Sequence, residues 1–432
     1  MVRNEDMSEH LLNDARNAFL AAPPVGHAAY LRYCDTLRAR LLDAWPSIIA
    51  ANARDLEAAA ARGLPPVLIE RLRVGDAQRA QLVALTAKVA AELPTATAAS
   101  DWVDVADWGR LRRVPKPLGV LLMVYEARPT VTVEGALLPV VAGNAVLLRG
   151  GKEMAETDAA LAATIHDALA DAGLPPTLVS IVADPDRAVL RALLKRHDAI
   201  DVLIPRGSAS LIDYCRSASS IPVIASGGGV NHLYVHRSAD LARAAAIALD
   251  SKLAEPTACN TVEMILVDTE VAQALTEQLV NAAAGARTPT TLRLGGGLTE
   301  RTHTRAPDTV RIEALEAHDF GREFLDATLG VLPVTGLDDA LRHIREHGSA
   351  HTEGVLSNDP DVIDAFAARV DAAAIVVNGS LRLHDGPTLQ LGAEISISTG
   401  RLHVRGSVTI GALLTYSWLV DAQGALRADR SQ

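Results

Sequence analysis

The chain has 432 residues, 49% hydrophobic and 22% charged, with a formal net charge of −11. That length implies two or three domains. The acidity argues against nucleic acid as a partner, and no apolar run is long and charge-free enough to span a bilayer.

Residues 8 to 95 read as helices, because Leu37, Leu41, Leu42, Trp45 and Ile48 fall on helical spacing, as do Leu68, Ile69 and Leu72. The first twenty residues lack a basic start followed by an apolar stretch, so no export signal is expected. From Gly119 strands and helices alternate. The apolar runs are Gly119–Tyr125, Asn144–Leu148, Leu178–Val182, Ile200–Ile204 and Ile221–Ile224. A helix over Ala155–Ala172 is expected to stop at Gly173, with Pro175 and Pro176 beyond. Asp184 is the expected cap of a helix beginning at Pro185. Five short runs separated by helices predict a mostly parallel sheet covered on both faces. The pattern restarts after Ser251 with a strand at Val262–Val267 and a helix at Glu270–Ala284, a second α/β unit reaching about residue 357. Asp101–Trp108 with Arg110–Arg113 alternates like a hairpin. Leu413–Val420 reads as an edge or subunit-contact strand, pairing with that hairpin or across a dimer.

Ligands bind doubly wound sheets at the carboxyl ends of the strands. Two loops at such ends stand out. In one, Arg149, Gly150, Gly151 and Lys152 follow the second strand, where paired glycines let backbone approach a ligand and Lys152 supplies positive charge. In the other, Arg206, Gly207 and Ser208 open a helix, whose N-terminus suits an anion. Together they point to a dinucleotide or another phosphorylated ligand. Three consecutive glycines, Gly227 to Gly229, imply close backbone approach to a ligand, tight packing, or a flexible loop. His303, His343, His347 and His351 form no metal-ligand spacing, and solvation is the expected state of His343 and His347. No Walker loop and no G-x-S-x-G elbow are present.

The three cysteines, Cys34, Cys215 and Cys259, are too few and too scattered for a disulfide framework, which predicts a reducing, cytoplasmic setting. Cys259 lies in the polar segment Glu255-Pro-Thr-Ala-Cys-Asn260, just before the apolar run Met264–Val267. It is placed like a nucleophile that attacks an activated acyl carbon, although a lone cysteine more often packs as a small hydrophobe.

Val114-Pro-Lys-Pro-Leu-Gly-Val120, Tyr125-Glu-Ala-Arg-Pro129, Gly143–Glu153, Val202–Gly207, Cys259-Asn260, His351-Thr-Glu353, Gly392–Ile395 and His403–Gly406 resemble the γ-glutamyl phosphate reductases of the aldehyde dehydrogenase superfamily. The resemblance runs in order from about residue 45 to 420. It implies an α/β, aldehyde-dehydrogenase-like subunit. A Rossmann-like cofactor domain (1–100, 118–240 and 358–398) and an α/β catalytic domain (241–357) would face each other across a cleft. A small β extension (101–117 and 399–432) would make a homodimer or higher homo-oligomer. The implied reaction is reduction of L-glutamyl 5-phosphate by NADPH to glutamate 5-semialdehyde, through a thioester on Cys259, in proline biosynthesis. Asn260, or the Cys259 backbone N–H, is the implied oxyanion donor. Lys152 would meet the adenosine ribose or its 2′-phosphate, with Arg149, Gly150, Gly151 and Gly227 also on the cofactor. Arg206, Gly207 and Ser208 would hold the pyrophosphate, and Glu323 the nicotinamide ribose. Arg128, Thr130 and His351 would meet the substrate. No metal is implied.

Several positions depart from the family pattern. Thr130 stands for an Asn, Ala225 for a Glu, and Ala254-Glu255 for Gln-Arg. Leu381 and His384 replace threonines, and Gly400 replaces a Gln. The glutamate missing at 225 corresponds to a hydrolytic base, which a reductase does not need. Two other readings stay open. One is a divergent relative reducing a substituted, aspartyl or peptide-borne acyl phosphate in specialised metabolism. The other is a non-catalytic scaffold for a kinase partner that makes the acyl phosphate.

Overall fold

The structure is a computed structural model that describes residues 2–225, 227–302 and 307–427. His303 therefore lies outside the described residues. The chain forms two compact units. The first comprises Met1–Ala225, Leu391–Ser396 and Ser407–Gln432; the second comprises Ser226–Gln390 and Ile397–Gly406. These bounds differ from the expected ones. Residues 227–240 and 358–390 fall in the second unit, because strands at Asn231–Val235 and Ala374–Val377 pair into its sheet.

The first unit opens with helices α1 (Val2–Ala21), α2 (Ala28–Ala61), α3 (Pro66–Leu72) and α4 (Asp76–Ala96). Strands β1 (Val103–Val105) and β2 (Gly109–Pro117) then form the expected hairpin. Next come β3 (Val120–Tyr125), α5 (Thr130–Val141), β4 (Ala145–Arg149), α6 (Ala155–Ala172), β5 (Val179–Ile181), α7 (Arg187–Leu193), β6 (Val202–Arg206) and α8 (Ala209–Ala218). Helix α6 ends as expected at Gly173, in the left-handed conformation at φ 76. Its N-terminus is satisfied from α2, where the Asp55 carboxylate accepts from the backbone N–H groups of Glu156 and Thr157. Strands β5-β4-β3-β6 form a parallel sheet. The fifth apolar run, Ile221–Ile224, makes only an isolated bridge, Val223 to Leu203. Pro222 has no N–H to give a ladder, so the run stays short. The cap of α7 is Asp186, not Asp184; Asp184 instead accepts from the Asp186 N–H.

The second unit holds β7 (Asn231–Val235), α9 (Leu241–Leu253), β8 (Val262–Asp268), α10 (Ala272–Ala284), β9 (Thr290–Leu294), α11 (Leu298–Thr302), β10 (Val310–Ala314), β11 (Thr328–Val334), α12 (Leu337–His347), β12 (Thr352–Leu356), α13 (Pro360–Arg369) and β13 (Ala374–Val377). They build a seven-stranded sheet in the order β10-β9-β11-β8-β7-β12-β13, whose pairs are parallel. Strands β7 and β8 are buried at every position, as a sheet covered on both faces requires.

After β14 (Glu394–Ser398) and β15 (Gly406–Thr409), β16 (Leu414–Asp421) pairs antiparallel with β2 of the same chain. Among the described residues no helix is long and apolar enough to cross a membrane.

Candidate active site

In the first unit, β3, β4 and β6 end level with one another, with Val124 beside Arg149 and Tyr125 beside Arg206. Glu126, Gly150 and Gly207 therefore leave the sheet side by side. Ser208 is the N-cap of α8, as its place after the strand predicts. Its backbone N–H donates to the Glu126 carboxylate at 2.8 Å, and its hydroxyl lies 3.3 Å from the same group. A Cβ on Gly207 would sit 2.5 Å from that carboxylate. An anion thus already rests on the donors that a phosphate would use, and the site's chemistry fits a phosphorylated cofactor.

The paired glycines serve differently than expected. A Cβ on Gly150 would meet the Asp158 carboxylate at 2.3 Å, and one on Gly151 the Glu153 carboxylate at 1.9 Å. Both glycines make room for acidic side chains of the chain itself. Asp158 is buried and accepts from the Thr132 hydroxyl at 2.6 Å, and burial pushes its carboxyl up to about 7. Lys152 is exposed in the same loop. Arg149 donates to the Pro185 carbonyl at 3.2 Å, and Arg206 to that of Ile395. Arg128 is exposed, and Thr130 is half-buried at the start of α5. Between Glu126 and Arg128, Ala127 is held at φ 34, a left-handed backbone that costs a residue with a Cβ about 1–3 kcal/mol and is typical of functional loops.

In the second unit the site forms at the amino ends of β7, β8 and β12. Cys259 is exposed on the turn that leads into β8, whereas Cys34 and Cys215 are buried. Burial pushes those two thiols up to about 12 and about 11, which removes them as nucleophiles near neutral pH. Asn231, fully buried at the start of β7, holds the Cys259 turn. Its amide donates to the carbonyls of Gly229, Cys259 and Thr261 at 3.0, 2.8 and 2.6 Å, and its Oδ1 accepts from the Thr352 N–H at 3.0 Å. Gly229 lies against the cysteine's own backbone, where a Cβ would be 2.1 Å from the Cys259 carbonyl oxygen. The triple glycine thus includes a residue of tight packing, one of the meanings left open for it. Gly227 sits where a Cβ would be 3.0 Å from the Ser349 carbonyl and from the Thr399 hydroxyl. Glu323 accepts from the Gly229 N–H at 2.7 Å.

Asn260 is buried, and its amide donates to the His384 carbonyl at 2.9 Å. A side-chain amide carries two N–H donors, and this bond uses one of them. His351 is fully buried; its Nδ1 lies 2.7 Å from the Thr352 hydroxyl, which is 2.8 Å from His384 Nδ1. Burial pulls His351 down to about 3 and also lowers His384. Both imidazoles are neutral at pH 7. The single Thr352 proton serves one ring, so the other ring donates to the hydroxyl oxygen. Leu325 (φ 58) and Ala350 (φ 60), beside the Glu323 and His351 segments, are also left-handed.

The base of the Cys259 loop is closed by a buried ion pair. Lys252, at the end of α9, meets Glu263, on β8, at 2.7 Å. Glu263 also accepts from the Phe324 N–H, next to Glu323. Burial moves Glu263 up to about 7 and Lys252 down, and each charge opposes the other's shift. Asn231, Thr352 and the Lys252–Glu263 pair were given no role from the sequence; the glycine run before Asn231 and the motif His351-Thr-Glu353 marked their neighbourhood.

His343 corrects the expectation of a solvated ring, whereas His347 is half-buried. His343 is buried, edge-on to His232 and Phe320 with centroids 5.3 and 5.0 Å away, and stands 4.6 Å from His347. Burial pulls it down to about 3. Among the described residues no group of three ligating side chains could hold a metal ion.

The aldehyde dehydrogenase family profile matches residues 12–304. The chain is 40% identical over 389 residues to a γ-glutamyl phosphate reductase of Escherichia fergusonii, covering 88% of this chain and 90% of that one. It is 37% identical over 412 residues to the protein of that name from Shewanella amazonensis, with 94% and 95% covered. The crystal structure of γ-glutamyl phosphate reductase from Thermotoga maritima superposes with a TM-score of 0.89 at 28% identity, covering 97% of this chain and 99% of that one. The expected α/β, aldehyde-dehydrogenase-like fold is thus the observed one, and the chain belongs to the aldehyde dehydrogenase family, among its γ-glutamyl phosphate reductases.

Proposed function

We propose that this oxidoreductase reduces L-glutamyl 5-phosphate to glutamate 5-semialdehyde with NADPH, in proline biosynthesis. The observation that carries the reading is Cys259, an exposed thiol on a turn held from beneath by the fully buried Asn231. The names of the relatives supply the acyl phosphate. In the reaction the Cys259 thiolate attacks the acyl carbon, the C–O bond to phosphate breaks, and an enzyme thioester remains. Bound NADPH supplies the hydride that reduces this thioester. The resulting hemithioacetal oxyanion is met by the Asn260 amide or the Cys259 backbone N–H; it re-forms the carbonyl, and the C–S bond breaks to return the thiolate. Ala225 fits reduction, since no hydrolytic base is needed.

Ser208, Gly207 and Arg206 would hold the pyrophosphate once Glu126 yields, and Lys152 would meet the 2′-phosphate, which favours NADPH over NADH. Glu323 would exchange the Gly229 N–H for the nicotinamide ribose. A homo-oligomer through β16, where Tyr416, Trp418 and Val420 are exposed, and a cytoplasmic setting, fit this reading.

The test runs the reaction backwards with glutamate semialdehyde, phosphate and NADP⁺, following reduced cofactor. Reduction that requires phosphate and is lost in Cys259→Ala is expected. A wild-type protein inert with this aldehyde but active on a homologue would transfer the assignment to another acyl phosphate. Inertness with every aldehyde, and a Cys259 that iodoacetamide alkylates no faster than Cys34, would leave the scaffold reading.

A further inference from the structure

We propose that Glu255 and Arg382 together read the zwitterionic head of an α-amino-acid acyl phosphate, Glu255 taking the α-ammonium and Arg382 the α-carboxylate. The inference rests on the acyl-phosphate reading above and adds what recognises the far end of the acyl chain. The two side chains form an ion pair at 2.9 Å, with Glu255 56% and Arg382 23% exposed. Each is anchored to the segment that carries the nucleophile. The Glu255 carbonyl accepts from the Ala258 N–H at 3.1 Å and from the Thr261 hydroxyl at 2.7 Å, which folds the chain tightly around Cys259. Arg382 lies in the short turn Leu381–Leu383. That turn is tied to Asn260 through the His384 carbonyl, and to the Ser251 hydroxyl through the Leu381 N–H. One negative and one positive group are thereby carried on two segments anchored to the turn that bears one exposed thiol.

The charge pattern selects the ligand. An arginine at 255, as in the family pattern, would set two cations together and favour a lone anion. Glu255 makes the place dipolar, with no net charge to attract a simple anion or cation. A group bearing an ammonium and a carboxylate on one carbon matches both poles. The exposed pair is weakly held against water, so its members exchange each other for the ligand at little cost. The Arg382 guanidinium has five N–H donors and gives one to Glu255, which leaves donors for a carboxylate.

The experiment uses the whole enzyme in the reverse direction with three aldehydes of one chain length: glutamate semialdehyde, its Nα-acetyl derivative and its α-carboxamide. Each is compared between wild type and variants as a ratio of kcat/KM values, so that the fraction of free aldehyde in solution cancels. Glu255→Gln is expected to lower kcat/KM for the free amine by roughly tenfold to a hundredfold, the range for one charge-assisted hydrogen bond. It should leave the acetylated aldehyde unchanged. Arg382→Gln should lower the carboxylate substrate by a similar factor and spare the carboxamide. The double variant Glu255→Gln with Arg382→Gln, which leaves neither charge unpaired, should lose both preferences: its loss is largest on glutamate semialdehyde, which carries both charges, and smaller on the two derivatives, which carry one each. Equal losses on all three aldehydes would make the pair structural and overturn the proposal, while the acyl-phosphate reading stands. A wild type active on no aldehyde would overturn both.

Discussion

The two units use opposite ends of their parallel sheets. In the first, the loops proposed to bind the cofactor leave the carboxyl ends of β3, β4 and β6, where the N-terminus of α8 presents backbone donors. In the second, Cys259, Asn231 and Thr352 gather at the amino ends of β7, β8 and β12. Helix α9 enters that end by its C-terminus. A right-handed βαβ connection places helix N-termini at the carboxyl end of a sheet and helix C-termini at the amino end. The first unit therefore offers main-chain donors at the place proposed for the phosphate. The second unit builds its polar floor from buried side chains: an asparagine amide, a threonine hydroxyl, two neutral imidazoles and an ion pair.

The difference sets the size of the effects that substitutions should have. Cys259→Ser should be the largest. Turnover is expected to fall by at least about a thousandfold, as for loss of a nucleophile. Cofactor affinity, read from nicotinamide fluorescence, should not change, because serine keeps the size and shape of the side chain and the pyrophosphate loop is in the other unit. A variant that keeps its turnover would remove the thiol from the mechanism.

Asn231→Ala tests the side-chain floor. Three carbonyls and the Thr352 N–H would lose their partner. A stability loss of about 2–4 kcal/mol follows from roughly 1 kcal/mol for each hydrogen bond lost in a dry site. A misplaced nucleophile should cost turnover about a hundredfold. Denaturant unfolding and steady-state kinetics measure the two. Lost stability with intact turnover would mean that Asn231 braces β7 and nothing more.

Gly207→Ala tests the main-chain site. The new Cβ would fall 2.5 Å from the Glu126 carboxylate and 3.0 Å from a Leu211 methyl group on α8, and it would stand where a phosphate must approach the main chain. Cofactor affinity should weaken roughly tenfold, the scale of one disturbed charge-assisted hydrogen bond. Alkylation of Cys259 without cofactor should proceed as in wild type. Unchanged affinity would place the pyrophosphate elsewhere.

These contrasts also explain what could be read in the sequence. Element positions follow local rules, and so the stop at Gly173, the cap at Ser208 and the buried strands were legible from spacing and composition. The Asp184 and Pro222 regions misled for local reasons: a second aspartate two residues on made a better cap, and a proline cannot give a ladder its N–H. Cys259 stood out because a polar turn before an apolar strand is an odd place for a thiol. Asn231 and Thr352 did not. They are 121 positions apart, and only the parallel pairing of β7 with β12 brings one beside the other. Glu126 was hidden for the same reason, since its partner Ser208 lies 82 residues on. The division into units was misplaced at 358–390 because a parallel edge strand such as β13 carries no mark of which sheet it will join.

The smallest expected effect concerns Asp158, the acid under Gly150. Burial places its folded-state value at about 7, above the ordinary carboxyl value. The folded protein therefore binds this proton more tightly than the unfolded chain does. The stabilisation is fully present below the unfolded value near 4 and is lost as pH rises through about 7. Asp158→Asn, which keeps the shape and can still accept from Thr132, should flatten this part of the stability profile. It should raise stability at pH 8 by an amount on the order of a few kcal/mol, read as the difference in thermal melting between pH 5 and pH 8. The same proton bears on the ligand site. A charged Asp158 beside Glu153 would set two carboxylates under the loop that Lys152 occupies, which opposes an incoming phosphate. Cofactor affinity should then decline above pH 7 in wild type and hold in Asp158→Asn. If the two proteins show the same decline, Asp158 serves packing alone.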